Sequence, residues 1–342
     1  MKIGVNFMLL NFDYLHFENS ITPILQKETC EKPTNSFMLK TILLLLFALI
    51  VLPLVAWHYD APLAAEQKTM LFAMLKLYAI MAGLCFVVSE LTRNCSQVDK
   101  LWSIMPIVYT WYFAWAGGFD ARMTLMAVLA TIWGLRLSYN FWRRGGYTWI
   151  PWAGEEDYRW AVLRKMPLLN GRLRWAAFNL GFISFYQMGL ILLFTLPAVM
   201  AWQGEGQPLN WLDYLATELF LGLVVFETIA DQQQWNYQTE KYRRKAAGEP
   251  LTGDYAKGFL DTGLWARLRH PNYAAEQGIW LAFYLFSVAA TGRWLNGSMV
   301  GAVLLLILFQ GSADFSEKIS EEKYPAYADY MRRVGRFLPK LK

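Results

Sequence analysis

The sequence breaks into apolar stretches separated by short polar connections, and the stretches have the length of about 20 residues that an α-helix needs to cross a bilayer. Eight recur, at about 39–57, 70–90, 98–116, 123–142, 175–202, 212–234, 273–291 and 298–316. Backbone N–H and C=O groups in hydrocarbon must be satisfied within one segment, which selects helices over open sheet. The expected fold is therefore all-α, a polytopic transmembrane helical bundle of seven to eight spans. Composition agrees: 56% of the 342 residues are hydrophobic and 17% charged, against roughly 45–50% and 25% in soluble domains. Apolar content this high excludes a disordered or low-complexity chain.

Lysine and arginine mark the orientation. They crowd into the connection around 143–174, the connection around 235–272 and the tail after 316, whereas the alternate connections are nearly bare. All basic segments share one parity, so both termini are expected in the cytoplasm, with the protein in an inner membrane if bacterial or the endoplasmic reticulum if eukaryotic. Residues 1–38 are expected to be a poorly ordered extension, ahead of a multi-span domain over 39–342. They lack the apolar run and cleavage site of a signal peptide. Cys30, Cys85 and Cys95 make no disulfide framework, and His16, His58 and His270 are too scattered for zinc, so no metal is expected. Neither a Walker loop nor a G-x-G-x-x-G turn is present, which excludes a Rossmann domain. The basic residues track span parity, so nucleic acid is not an expected partner. The bilayer and a lipophilic small molecule are.

Ionisable groups within apolar spans are costly and mark function by default. Arg136, Asn140 and Arg143 fall at spacings of four and three, on one helical face. Glu227, Asp231, Gln234 and Gln238 form a second such stripe. Asn272 and Glu276 open the seventh stretch one turn apart, and Glu90 and Asp99 bracket the connection before the third. Together they describe a polar cavity opening on the basic side. Simpler readings stand beside this one: Arg143 and Arg144 snorkelling to headgroups, and Arg136 bridging Glu227 and Asp231 as a structural ladder. Glu155, Glu156 and Asp157 read as a solvated loop face. The densest run is Gly263 to Glu276, where Arg267, Arg269 and His270 precede Pro271, a residue suited to a first helical turn. Cationic side chains at a helix N-terminus make an anion site that suits a pyrophosphate or a 2′-phosphate.

The run LWARLRHPNYAAEQGIW resembles the cofactor-binding signature of the steroid 5-alpha-reductase superfamily, in its bacterial-type branch known as DUF1295. SQVDKLWS at 96–103, WGLRLSYNFWRR at 133–144 and KYPAYADYMRRVGRFLPK at 323–340 fit the same branch in order and spacing. The resemblance covers about 94–342. The Arg-His-Pro-Asn-Tyr block is also similar to the isoprenylcysteine carboxyl methyltransferases, which use S-adenosylmethionine; that alternative, and a non-enzymatic lipid-binding membrane protein that keeps the fold, stay open here. The reductase resemblance implies bound NADPH and reduction of a C=C bond conjugated to a carbonyl in a sterol-like or polyprenoid molecule. By order of blocks it implies Asp99 as the catalytic carboxylate, with Asn140 and the adjacent Tyr139 at the position of the hydrogen-bond donor. An asparagine cannot release a proton, so this position departs from the family pattern. For the cofactor it implies Arg269, His270, Asn272, Tyr273 and Glu276, aided by Arg143 and Asp231. Lys241 and Arg244 are expected at the extra phosphate of NADPH, and Tyr324 and Tyr327 as a cover over the nucleotide.

Overall fold

The computed structural model describes residues 58–340, together with positions 50, 51 and 54. The expected 1–38 extension lies outside the described residues, as does nearly all of the stretch at 39–57. Helices account for the regular structure of the described residues: α1 (Ala65–Thr92), α2 (Gln97–Trp102), α3 (Met105–Ala116), α4 (Ala121–Trp142), α5 (Tyr158–Lys165), α6 (Arg172–Gly204), α7 (Trp211–Ala246), α8 (Asp254–Lys257), α9 (Pro271–Thr291), α10 (Met299–Lys323) and α11 (Tyr327–Arg333). Three of them, α1, α6 and α10, are long and apolar enough to cross a membrane by length and composition. The chain is a polytopic helical membrane protein.

Local chemistry explains the boundaries. Asp120 caps α4 by accepting from the Arg122 amide, and Asn210 and Asp213 close a reciprocal capping box at the start of α7. Pro271 opens α9, and Gly292 ends it at φ 70. The stretch expected as one helix over 98–116 is instead two, α2 and α3, broken at Ser103 and Ile104. Pro106 has no N–H to give the preceding turn, so the helix restarts there. A π-helical segment, Asn179–Tyr186, widens α6 near its start.

The core lies where α4, α6, α7 and α9 meet. Trp280 is its hub, with its ring 4.0 Å from Phe194, 4.8 Å from Trp133 and 5.2 Å from Phe283. Gly301 lets α10 ride against the α6 backbone, where a Cβ would come within 2.2 Å of the Leu193 carbonyl carbon. At the end away from the basic connections, Arg122 and Asp213 form a fully buried pair at 2.8 Å. The Arg122 guanidinium also donates to the carbonyls of Gly204 and Pro208, joining the starts of α4 and α7 to the end of α6.

Candidate functional site

The α4 stripe faces the stripes of α7 and α9, as the four- and three-residue spacings require. Arg136 reaches Glu227 at 2.6 Å, Asp231 at 2.9 Å and Glu276 at 3.8 Å. Asp231 also accepts from the side-chain amides of Asn140 (2.8 Å) and Asn272 (3.2 Å). Glu276 accepts from the indole N–H groups of Trp133 (2.8 Å) and Trp280 (3.1 Å). Asn140, Glu227, Asp231 and Glu276 are all buried. The ladder reading is thus correct as geometry, and Arg136, absent from the expected site, is its centre. The Arg136 Nε is buried without a hydrogen-bond partner.

The mouth of the cluster is cationic. Arg143 donates to Asn140 Oδ1 at 2.8 Å and to Gln232 at 2.7 Å, and its guanidinium lies 4.8 Å from the Trp235 ring centroid. Arg144 lies 4.0 Å from Asp231, with its side chain 47% exposed. Arg136 and Arg144 therefore meet the carboxylates, Arg143 joins through Asn140 and the Asp231 carbonyl, and the outermost guanidinium remains open to an incoming anion. Tyr139, one position from Asn140, turns to the outer face of α4 and is 59% exposed. Its ring lies 5.7 Å from the Arg143 guanidinium at the mouth, on the outer side of the helix.

The SQVDKLWS block serves a different end. Lys100 is buried and donates to the carbonyls of Pro151 (2.9 Å) and Ala153 (2.6 Å). Gln97 donates to Trp152 O, Asn94 to Gly154 O, and the Asp157 amide to Ser96 Oγ. Block and flanking Asn94 thus clasp the 147–157 connection onto α2. Asp99 lies at the edge of the clasp, with a 3.4 Å contact from the Trp160 indole and a side-chain hydrogen bond to Ser96. The solvated-face reading holds for Glu155, which is exposed, and is corrected for Glu156 and Asp157. Glu156 accepts from the Cys95 amide and pairs with Arg164 at 2.7 Å, while Asp157 caps α5 and pairs with Arg159 at 2.8 Å. Burial works to raise the Asp157 carboxyl, but the Arg159 guanidinium holds it below its ordinary value. The charge of Arg159 is felt by Asp99 and Tyr273, and that of Arg144 by Asp157.

Arg269 and His270 point inward, yet to other partners than the phosphate expected. Arg269 grips Glu317 at 2.7 Å and donates to the carbonyls of Met331 and Val334. His270 Nε2 meets the same carboxylate at 3.0 Å, and Arg336 completes the knot at 2.6 Å. Backbone bonds from Arg269 to Gly335 and from His270 to Arg336 strap the tail along the entry to α9. Tyr273 stacks on the His270 ring at 5.2 Å, with the planes 15° apart.

Lys241, Arg244, Tyr324 and Tyr327 gather elsewhere, at the far end of α7, ten residues or more beyond Asp231. Arg244 pairs with Glu240 at 2.7 Å and covers the Tyr255 ring at 4.4 Å. Tyr324 and Tyr327 pack on Phe259 at 5.9 and 5.0 Å. The expected residues thus divide into the α4–α7–α9 cluster with Asp99 nearby, the Glu317 knot, and this distal group.

The family model for DUF1295, described as a protein of unknown function, matches residues 85–334. The chain belongs to the DUF1295 family. The match takes in the clasp, the buried cluster, and Arg269, His270 and Glu317 of the tail knot, ending just before Gly335 and Arg336. The chain is also 38% identical over 279 residues to an uncharacterized protein of Schizosaccharomyces pombe, covering 78% of this chain and 79% of that one. No solved structure matches this DUF1295 protein at a significant level.

Proposed function

We propose that the protein is an NADPH-dependent integral membrane reductase that saturates a C=C bond conjugated to a carbonyl in a lipophilic, sterol-like or polyprenoid molecule. The observation that carries this reading is the cluster of Asn140, Asp231, Asn272 and Glu276 under a cationic rim. Its carboxylate and amide groups suit a carboxamide and ribose hydroxyls, and the half-exposed Arg144 and neighbouring Arg143 suit a pyrophosphate. When bound, NADPH supplies the hydride that adds to the β-carbon. In this reading Asp231 holds Asn140 and Asn272 in register, and the Trp133–Trp280 wall excludes water. In this reading Asp99, in its protonated form, sits at the substrate carbonyl, where its O–H donates to the oxygen and passes its proton there as charge develops, giving an enol that tautomerises to the saturated ketone. The outward turn of Tyr139 leaves this role to Asp99. The reading also sets α3, α4, α7 and α9 at membrane depth, for seven to eight spans, with the basic connections in the cytoplasm.

Binding decides it. Purified protein in micelles is expected to show a higher unfolding temperature with NADPH and none with S-adenosylmethionine. The reverse result makes the protein a methyltransferase. Asn272→Ala removes a donor from the cluster and is expected to weaken NADPH about tenfold, the loss of about 1.4 kcal/mol that one such hydrogen bond represents. Asp99→Asn is expected to leave NADPH affinity within twofold while lowering enone turnover, followed by loss of NADPH absorbance, by about 100-fold or more. Unchanged turnover would remove Asp99 from the chemistry.

A further inference from the structure

The tip of the connection that the clasp holds, 148–152, is exposed at every residue, and it is apolar: Trp149 is fully exposed, with Ile150 and Trp152 beside it. Scattered apolar residues on a surface mean little, but two indoles and an isoleucine at one tip make a patch. The carbonyls behind the patch are all satisfied from within the chain. Ile150 O accepts from Thr148 Oγ at 2.8 Å and from the Ala153 amide at 3.0 Å. Pro151 O and Ala153 O take the Lys100 ammonium, Trp152 O takes Gln97, and Gly154 O takes Asn94. Lys100 gives its third N–H to Gln97 Oε1 at 3.3 Å. The base of the tip is shut as well, with the Glu155 amide donating to Gly145 O at 3.0 Å and the Tyr147 hydroxyl to Lys100 O at 2.6 Å. Gly154 permits that closure: its φ is +126, and a Cβ would come within 2.4 Å of Gly146 O. Only donors remain open. The amides of Trp149, Ile150 and Trp152 have no acceptor among the described residues, and Pro151 has no N–H.

Filled acceptors, free donors and apolar side chains match the surface of a phospholipid bilayer. Lipid ester and phosphate oxygens accept hydrogen bonds, and phosphatidylcholine has no N–H or O–H to offer in return. A protein partner would bring donors as well as acceptors, and water demands no internal partner for each carbonyl. Irregular backbone close to hydrocarbon is tolerated only where the protein itself satisfies it, and indoles favour the membrane–water interface. We infer that the 148–152 tip is a membrane anchor, with Trp149, Ile150 and Trp152 set among the lipids of the leaflet on the basic side. The patch continues a surface already at membrane depth: Leu135, Tyr139 and Trp142, spaced four and three on the outer face of α4, are exposed and lead towards it. The basic connection after α4 therefore does not run wholly through the cytoplasm, as span parity alone implies. It returns to the bilayer at 148–152 and leaves by the exposed Glu155. The clasp is what allows this, and the anchor requires no cofactor and no particular chemistry at the buried cluster.

The test uses the full chain in phosphatidylcholine nanodiscs, carrying Cys30→Ser and a nitroxide attached at Trp149→Cys or, separately, Trp152→Cys. Cys85 and Cys95 are buried, and the Cys30→Ser protein alone measures their residual labelling. Thr252→Cys, an exposed position in the connection after α7, is the reference in water. Collisions of the label with molecular oxygen, which concentrates in lipid, are compared with collisions with a water-soluble nickel chelate. At both tip positions the oxygen-to-nickel ratio is expected to be at least fivefold above that at Thr252, with the unfolding temperature of the parent retained. A smaller difference at both positions puts the tip in water and overturns the anchor. Protection of both positions from oxygen and nickel alike means that protein covers the tip, a second copy or another chain, and overturns it too.

Discussion

Glu317→Ala is expected to lower the stability of the protein by about 3–5 kcal/mol, the range for removing one partner from a buried ion pair. Glu317 is 4% exposed and receives Arg269, His270 and Arg336 on its two oxygens. Without it the Arg269 guanidinium keeps only the carbonyls of Met331 and Val334 as acceptors, and a desolvated cation loses its counter-charge. The tail bonds at Gly335 and Arg336 depend on Arg269 and His270 staying in place. Trypsin should therefore cut the variant at Arg332 and Arg333 at least tenfold faster than the parent, ahead of global unfolding. Glu317→Gln keeps the shape and two acceptor–donor positions but not the charge, and should lie between the two. Equal cleavage rates for all three proteins would mean that the tail is held by the packing of Tyr327 and Tyr330 on Phe259 alone.

What the sequence made legible, and what it did not, follows from the range of each interaction. The expected stretches at 123–142 and 273–291 coincide with α4 and α9, and the one at 212–234 with the start of α7, because capping residues and Pro271 punctuate them locally; α7 runs on past 234 to Ala246 as a polar helix that apolar length could not reveal. The stripe on α4 met the stripes on α7 and α9 because side-chain bearing on a helix is set by spacing alone. Pro106 was also local, and the break it enforces between α2 and α3 could have been read from it. Other partners leave no local trace. Lys100 binds backbone carbonyls 51 and 53 residues away, Arg269 finds Glu317 48 residues on, and Arg122 finds Asp213 at a separation of 91. A cationic block before a helix reads as an anion site whether its anion is a ligand or a distant glutamate of the same chain. That ambiguity sent Arg269 and His270 to a phosphate, and only the approach of α10 reveals the carboxylate.

Arg136→Met is expected to have an effect as large on stability, and a larger one on ligand binding. Three carboxylates converge on this guanidinium, at 2.6, 2.9 and 3.8 Å, and methionine fills its volume without its charge. Glu227, Asp231 and Glu276 would then repel one another in a buried site, at a cost of about 3–5 kcal/mol. Asp231 would lose the bond that fixes its orientation, so Asn140 and Asn272, which donate to it, would lose theirs. A double-mutant cycle separates this from loss of packing. Glu227 is the nearest of the three, so Arg136→Met/Glu227→Gln should recover at least half of the lost stability, because one repelling charge goes with the guanidinium. Binding should not recover, since Asp231 remains without its arginine. Thermal unfolding and NADPH titration of the four proteins measure both quantities. Additive single-mutant losses would show that Arg136 and Glu227 do not interact, and full recovery of binding would show that the cluster holds the helices together without shaping the site.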